Sequence, residues 1–225
     1  MDLELLANRY RQVQAEVPAG VKLVAVSKKR TVAEIKALYD LGHRAFGENY
    51  PQELRDKQPL LPADIEWHFI GSLQANKVKY LFPFIHLVHS VDRANLLDEL
   101  EKRAARAGCT PGVLLQVHIA EEATKQGFTP DELRELVATG PLASRWPTLR
   151  FRGLMGMATN TGNHAQVRRE FGGLAALHRE LLQSGAVNAA LFKELSMGMT
   201  ADLREAVDAG STMVRIGTAI FGERG

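Results

Sequence analysis

The residues with most chemical potential in this 225-residue chain lie where apolar runs stop. Lys28 and Lys29 end the run VKLVAVS. Burying a lysine amine is costly unless it is paired or neutral, so such a pair is either solvent-facing charge or a working amine. Ser196, Gly198, Gly217 and Thr218 close two later runs. Glycines there let backbone N–H groups approach an anion, and the hydroxyls add donors. An amine kept partly neutral opposite an anion-binding loop is the pairing needed to hold a phosphorylated carbonyl compound as a Schiff base. Alternation along an extended run sends Lys28 and Lys29 to opposite sides, so only one can serve, and spacing does not say which. Asp202 opens the next helical stretch and would repel an anion on that helix axis. The anion is therefore expected nearer Gly217, with Ser196 reaching across.

Other reactive types carry less. His86 and His89 are three apart on a predicted strand and should face opposite sides, and His43, His68, His118, His164 and His178 have no ligand spacing. No metal site is expected. Cys109 is the single cysteine, so there is no disulfide framework, and a reducing cytoplasm fits best. The formal net charge is +2 with scattered basic residues, which excludes an electrostatic footprint for nucleic acid or an anionic membrane. The opening MDLELLANRYRQ begins with acids and has helical amphipathicity, unlike a secretory leader, and no apolar run is long enough for a bilayer.

The elements that must position these residues alternate throughout. Strands are predicted at 21–27, 43–49, 65–71, 85–91, 112–120, 149–158, 188–198 and 212–222. Helices are predicted between them: TVAEIKALYDLG capped by Thr31 and stopped by Gly42, PQELRDKQ, SLQANKVKYLF capped by Ser72, RANLLDELEKRAARAG, TPDELRELVATG, HAQVRREFGGLAALHRELLQSG and ADLREAVDAG. Eight βα units read as one closed (β/α)8 barrel spanning residues 1–225, with right-handed crossovers and function at the C-terminal strand ends. The chain ends soon after the eighth strand, and the apolar face Leu3, Leu6, Tyr10, Val13 and Val17 is expected to fill the gap in the helical ring. An open doubly wound sheet would need a glycine-rich fingerprint after the first strand, and KKRT is the wrong chemistry.

Read in order, VAVSK (24–28), FGENYPQEL (46–54), WHFIGSLQANK (67–77), KQGF (125–128), GLMGMA (153–158) and ELSMGMTADLREAVDAGSTMVRIGTAIFG (194–222) resemble the pyridoxal-phosphate homeostasis proteins, a family similar to the barrel domain of alanine racemase. The resemblance implies a pyridoxal 5′-phosphate carrier or regulator without turnover of its own. It also implies Lys28 as the Schiff-base lysine, Ser196, Gly217 and Thr218 on the phosphate with Gly198 in the same loop, and Arg215 facing the pyridine nitrogen. Asn49, His68 and Met155 are implied as pocket walls. Two departures stand out: Lys29–Arg30–Thr31 replaces a segment that commonly carries proline, and His118 stands where asparagine is more usual. The competing reading is an amino-acid racemase, which needs a second base on the opposite face of its substrate. No second domain follows the barrel to supply one, and Tyr50 alone among the tyrosines is near a strand end. The expectation is a cytoplasmic monomer whose partners are the cofactor and the apoenzymes that receive it.

Overall fold

The structure, a computed structural model, describes residues 3–122 and 125–223; the predicted helix start at Met1–Asp2 and the last two residues lie outside them. The strands are β1 (Lys22–Val26), β2 (Ala45–Glu48), β3 (Glu66–Phe69), β4 (Ile85–Val91), β5 (Gly112–Val117), β6 (Arg150–Gly156), β7 (Glu194–Ser196) and β8 (Met213–Ile216). They pair in parallel, each with the next, and β8 returns to β1 to close the barrel. Helices α1 (Leu3–Glu16), α2 (Val32–Asp40), α3 (Pro51–Lys57), α4 (Ala94–Ala107), α5 (Pro130–Ala138), α6 (Leu142–Arg145), α7 (His164–Gln183), α8 (Leu203–Asp208) and α9 (Thr218–Phe221) surround it.

Local chemistry sets the helix ends. Thr31 and Thr129 each form a reciprocal capping box, with Glu34 and Glu132, satisfying two otherwise orphaned donors at the starts of α2 and α5. Gly108 ends α4 in the left-handed conformation. The main core lies between barrel and helices, where Phe46, Trp67, Phe69, Phe171 and Phe192 are buried. A second apolar cluster, Val24, Ala45, Leu87, Leu114, Met155 and Met213, fills part of the barrel interior.

Four expectations need correction. The third predicted helix is a 3-10 helix over Ala75–Leu81, because Ser72 donates to Gln126 Oε1 at 2.7 Å instead of capping and Gln74 offers no side-chain cap. The strand predicted at 188–198 shrinks to β7, since the Asn188 side chain accepts from Ala190 N–H and its carbonyl from Leu191 and Phe192, folding the approach into a turn. The strand predicted to continue to residue 222 stops at Ile216, and TAIF winds into α9 from Gly217. A helical turn therefore does follow β8, and α1 packs against it and against α2. Leu6, Tyr10 and Val13 of the predicted apolar face of α1 are buried, but Leu3 is exposed. The fourth correction concerns His86. Across β3 and β4, Trp67 pairs with Ile85 and His68 with Leu87, so His86 is one extra residue, a bulge. The alternation rule fails there, and the rings of both His86 and His89 pack on His68, at 5.5 and 5.1 Å between centroids.

Candidate functional site

At the C-terminal ends of the strands a cleft of about 690 Å³ opens between β1 and β8. Lys28 and Val26 line it from the first strand, Met199 and Thr200 from the loop after β7, and Arg215, Gly217 and Thr218 from the eighth strand and its turn. Lys28 is half-buried. Lys29 adopts the left-handed conformation, φ 59°, so the chain turns sharply between the two lysines. Its N–H donates to Glu53 Oε1 at 2.5 Å, and its exposed ammonium lies 5.8 Å from the Tyr50 ring centre, outside the cleft.

Arg215 forms the floor. It is almost fully buried, and Nη1 donates to the Ser196 carbonyl at 2.8 Å and to Ser196 Oγ at 2.7 Å, while Nη2 reaches the Gly156 carbonyl at 3.3 Å. Burial lowers its pKa to about 10, with the Asp202 charge opposing, so the guanidinium remains a cation at neutral pH. It makes no ion pair among the described residues. Burial raises the Asp202 carboxyl, which accepts from Met199 N–H at 2.6 Å and so braces the loop rather than capping α8. Gly198 sits in this loop at φ 97°, and a Cβ there would lie 2.5 Å from Ala206 Cβ. Gly217 packs its Cα face on Val26, 3.2 Å from where a Cβ would be.

Ser196 is fully buried beneath Arg215. Asn49 stands half-buried at the end of β2 with its Oδ1 unpartnered, and Met155 packs in the barrel interior; neither lines the cleft. His68 does not stand at this mouth either. It is fully buried in the lumen and lines a cavity of about 260 Å³ at the opposite, N-terminal mouth, with Lys22, His86, Arg152 and Glu194. Strand β3 ends one residue after it, and its ring enters the lumen against His89 and the lower cavity. There Glu66, His68 and His86 bring ligand-type atoms within 4.8 Å of one another, a convergence hidden by the bulge, although Lys22 Nζ holds Glu66 Oε2 at 2.7 Å. His118, the other departure, braces the loop after β5, its Nε2 within 3.0 Å of the Glu122 carbonyl.

Several site features escape the sequence reading. Arg9 of α1 and Arg30 also line the cleft, giving four cations with Lys28 and Arg215 against one carboxylate, Glu223. Arg30 donates to the Gly222 carbonyl and leans on the Phe221 ring, tying the β1–α2 loop to α9 in place of a proline-shaped loop. Behind the lysines, fully buried Glu48 accepts from Ser27 Oγ at 2.7 Å and from Lys57 Nζ at 2.8 Å. Lys57 also donates to Ser27 O at 2.9 Å and to Glu53 at 2.6 Å. That network fixes the strand end from which Lys28 projects. Only the i,i+4 pair Glu53–Lys57 was visible as a spacing; its union with Glu48 needs the barrel.

A half-buried amine, a glycine-shaped loop in which an added Cβ would collide, and a surplus of positive charge around one buried guanidinium fit a phosphorylated carbonyl cofactor. Comparison with known proteins agrees. The model of the alanine racemase N-terminal domain matches residues 1–225. The pyridoxal phosphate homeostasis protein of Aquifex aeolicus is 42% identical over 90% of this chain and 87% of its own length, and that of Vibrio alginolyticus 41% identical over 99% and 96%. The structure of PipY of Synechococcus elongatus solved with PLP bound superposes with a TM-score of 0.85 at 33% identity, covering 96% of this chain and all of that one. Alanine racemase from Bartonella henselae, at 15% identity and TM-score 0.73 over 99% of this chain and 60% of that one, shares the fold. On these grounds the chain belongs to the pyridoxal phosphate homeostasis protein family.

Proposed function

We propose that this protein binds pyridoxal 5′-phosphate in the cleft between β1 and β8 and serves in the homeostasis of that cofactor as a carrier without substantial turnover. When bound, the cofactor supplies an aldehyde able to condense with an amine, and a phosphate group. The observation that carries the reading is the buried Arg215 cation, unpaired by any carboxylate among the described residues, lining one cleft with Lys28, Gly217 and Thr218. Lys28 is the amine, since Lys29 is turned out to solvent. Thr218 and the first N–H groups of α9, which have no partner within the helix, suit the phosphate, with Ser196 and Gly198 completing the loop. A permanent guanidinium facing the pyridine nitrogen keeps that nitrogen unprotonated and weakens the ring as an electron sink, as a carrier requires.

A racemase would need a second base. Tyr50, the nearest tyrosine by sequence, is 46% exposed beside Lys29 and lines none of the cleft. The carrier is read as a cytoplasmic monomer that hands the cofactor to apoenzymes. Among the described residues no helix is long and apolar enough to cross a membrane; of the large exposed apolar side chains Leu3 and Leu5 share α1, while Leu41, Tyr50, Leu60 and Met199 sit on separate segments.

The test is direct. Protein saturated with pyridoxal phosphate should absorb visible light, lose that absorbance on borohydride reduction, and carry the label on Lys28 in a peptide map. Lys28→Ala should abolish the absorbance and Lys29→Ala preserve it. Label on Lys29, or deuterium exchange into L-alanine at enzyme-like rates of about 1–1000 per second, would refute it.

A further inference from the structure

The barrel interior contains a chain of hydrogen bonds that joins the two mouths. His68 Nδ1 lies 2.8 Å from His89 Nε2, and His89 Nδ1 lies 2.8 Å from Ser196 Oγ, which receives Arg215 Nη1 at 2.7 Å. His68, His89 and Ser196 are fully shielded from solvent. Their contacts cross the lumen, from β3 and β4 to β7 and β8.

The direction of every bond follows from Arg215. A guanidinium only donates, so Ser196 Oγ accepts from it. The serine proton then has one neighbouring acceptor in the chain, His89 Nδ1, and because a fully buried hydroxyl is satisfied only by donating there, that nitrogen carries no hydrogen. A neutral imidazole bare at Nδ1 is protonated at Nε2, so His89 donates onward to His68 Nδ1. His68 is in turn protonated at Nε2, which makes no hydrogen bond and faces the Glu66 carboxylate 4.0 Å away in the lower mouth. Desolvation keeps both rings neutral: it lowers the His68 pKa to about 4 and holds that of His89 well below the ordinary imidazole range, the nearby Arg215 charge adding to the latter.

We propose that His89, backed by His68, is a positioning residue for the cofactor site: it commits the Ser196 hydroxyl to point away from Arg215, leaving the serine lone pairs to hold the guanidinium in place on the cleft floor. The inference rests on the proposed binding of pyridoxal phosphate only for its effect on the cofactor; the polarity of the chain belongs to the protein alone.

Two measurements test it. Long-range ¹⁵N–¹H NMR of the ring nitrogens in cofactor-free protein, assigned with His68→Gln and His89→Asn, should show both histidines neutral with the proton on Nε2. A proton on Nδ1 of His89, or an imidazolium at either position, overturns the polarity. In the loaded protein, His89→Leu removes the serine proton's acceptor and frees Arg215, so the visible absorbance maximum should shift and pyridoxal phosphate should dissociate about tenfold faster, the effect of one charge-assisted hydrogen bond. His89→Asn, whose Oδ1 can take the place of Nδ1, should restore both. His178→Leu, at a buried histidine stacked on Phe192 away from the cleft, controls for general loosening and should change neither. A His89→Leu spectrum and dissociation rate equal to wild type, or matched by His178→Leu, would reduce His89 to packing. Should wild-type protein show no cofactor absorbance, the proposed function falls and the loaded-state role with it, while the NMR result still decides the polarity.

Discussion

Replacing Lys57 with methionine isolates the charge network behind Lys28. In the native barrel Glu48 is fully buried, and Lys57 and Ser27 both bond its Oε1, while Oε2 has no partner. Burial raises the Glu48 pKa even so, with Lys57 as the largest opposing influence. Removing Lys57 leaves a carboxylate that must either stay charged and unpaired or take up a proton. Protonating a carboxyl of ordinary pKa, about 4.3, costs about 3.7 kcal/mol at pH 7. That agrees with the about 3–5 kcal/mol seen when one partner of a buried pair is deleted. The sign of the pH dependence follows. A carboxyl whose folded pKa lies above its unfolded value carries its full penalty above the folded pKa and loses it as pH falls to the unfolded one. Urea unfolding of Lys57→Met should therefore show a loss of about 3–5 kcal/mol at pH 7, shrinking by about 1.4 kcal/mol for each unit toward pH 5. The double variant Glu48→Gln/Lys57→Met should recover much of the loss and its pH dependence should vanish. A penalty under about 1 kcal/mol, or one independent of pH, would show that the carboxylate is not held as described.

Thr218→Val should weaken pyridoxal phosphate about tenfold or more while leaving pyridoxal nearly unaffected, as expected for one hydroxyl on an anion; equal losses in titrations of both ligands would assign the hydroxyl a structural role. Ser196→Ala should cost more than Thr218→Val in the same assay, because it also removes the Arg215 acceptor and the donor to His89. Gly198→Ala combines a left-handed backbone with a Cβ 2.5 Å from Ala206, so thermal or urea unfolding should register a loss of about 1–3 kcal/mol, partly restored by Ala206→Gly. Arg30→Ala should weaken pyridoxal phosphate more at low salt than at high salt, since its contribution to the cleft is largely charge; a salt-independent loss would point instead to the broken tie to Gly222.

The order of elements was readable because it rests on local signals: the capping residues Thr31 and Thr129, the stop at Gly108, and alternating β-branched and helical periods. Lys28, Arg215, Gly217 and Thr218 were readable as strand-end residues, and the barrel does gather them. What failed was whatever depends on register. A bulge at His86 cannot be seen in a pattern of period two, so the histidine cluster was missed, and the sequence does not show toward which mouth a lumen-facing residue such as His68 leans. Arg9 is distant in sequence from the rest of the cleft and reaches it only because α1 packs against α9. The Glu48–Lys57 pair joins a strand residue to a helix residue nine positions later, a spacing that matches neither period.

The interior of this barrel explains why a cofactor site and a restraint on chemistry come together. Branched apolar side chains normally fill such a lumen in layers. Here Leu87, Leu114, Met155 and Met213 fill part of it, while His68, His89, Ser196 and Arg215 cross the remainder. A buried polar seam is favourable only so far as its donors and acceptors are matched, and with His68 Nε2 alone among its ring and hydroxyl groups left open, these four residues act as a unit. Their directionality begins at Arg215, whose cation forms no ion pair among the described residues and feels the Asp202 carboxyl only through space. An acidic partner there would relieve its burial, but would also attract a proton to a neighbouring ring nitrogen and strengthen the bound ring as an electron sink. The seam supports the guanidinium with a hydroxyl and two carbonyls instead, which hold it in place without neutralising it. With pyridoxal phosphate placed as proposed, the positive charge left over would attract the phosphorylated ligand and keep its ring unprotonated, so the same arrangement would favour holding the cofactor over using it.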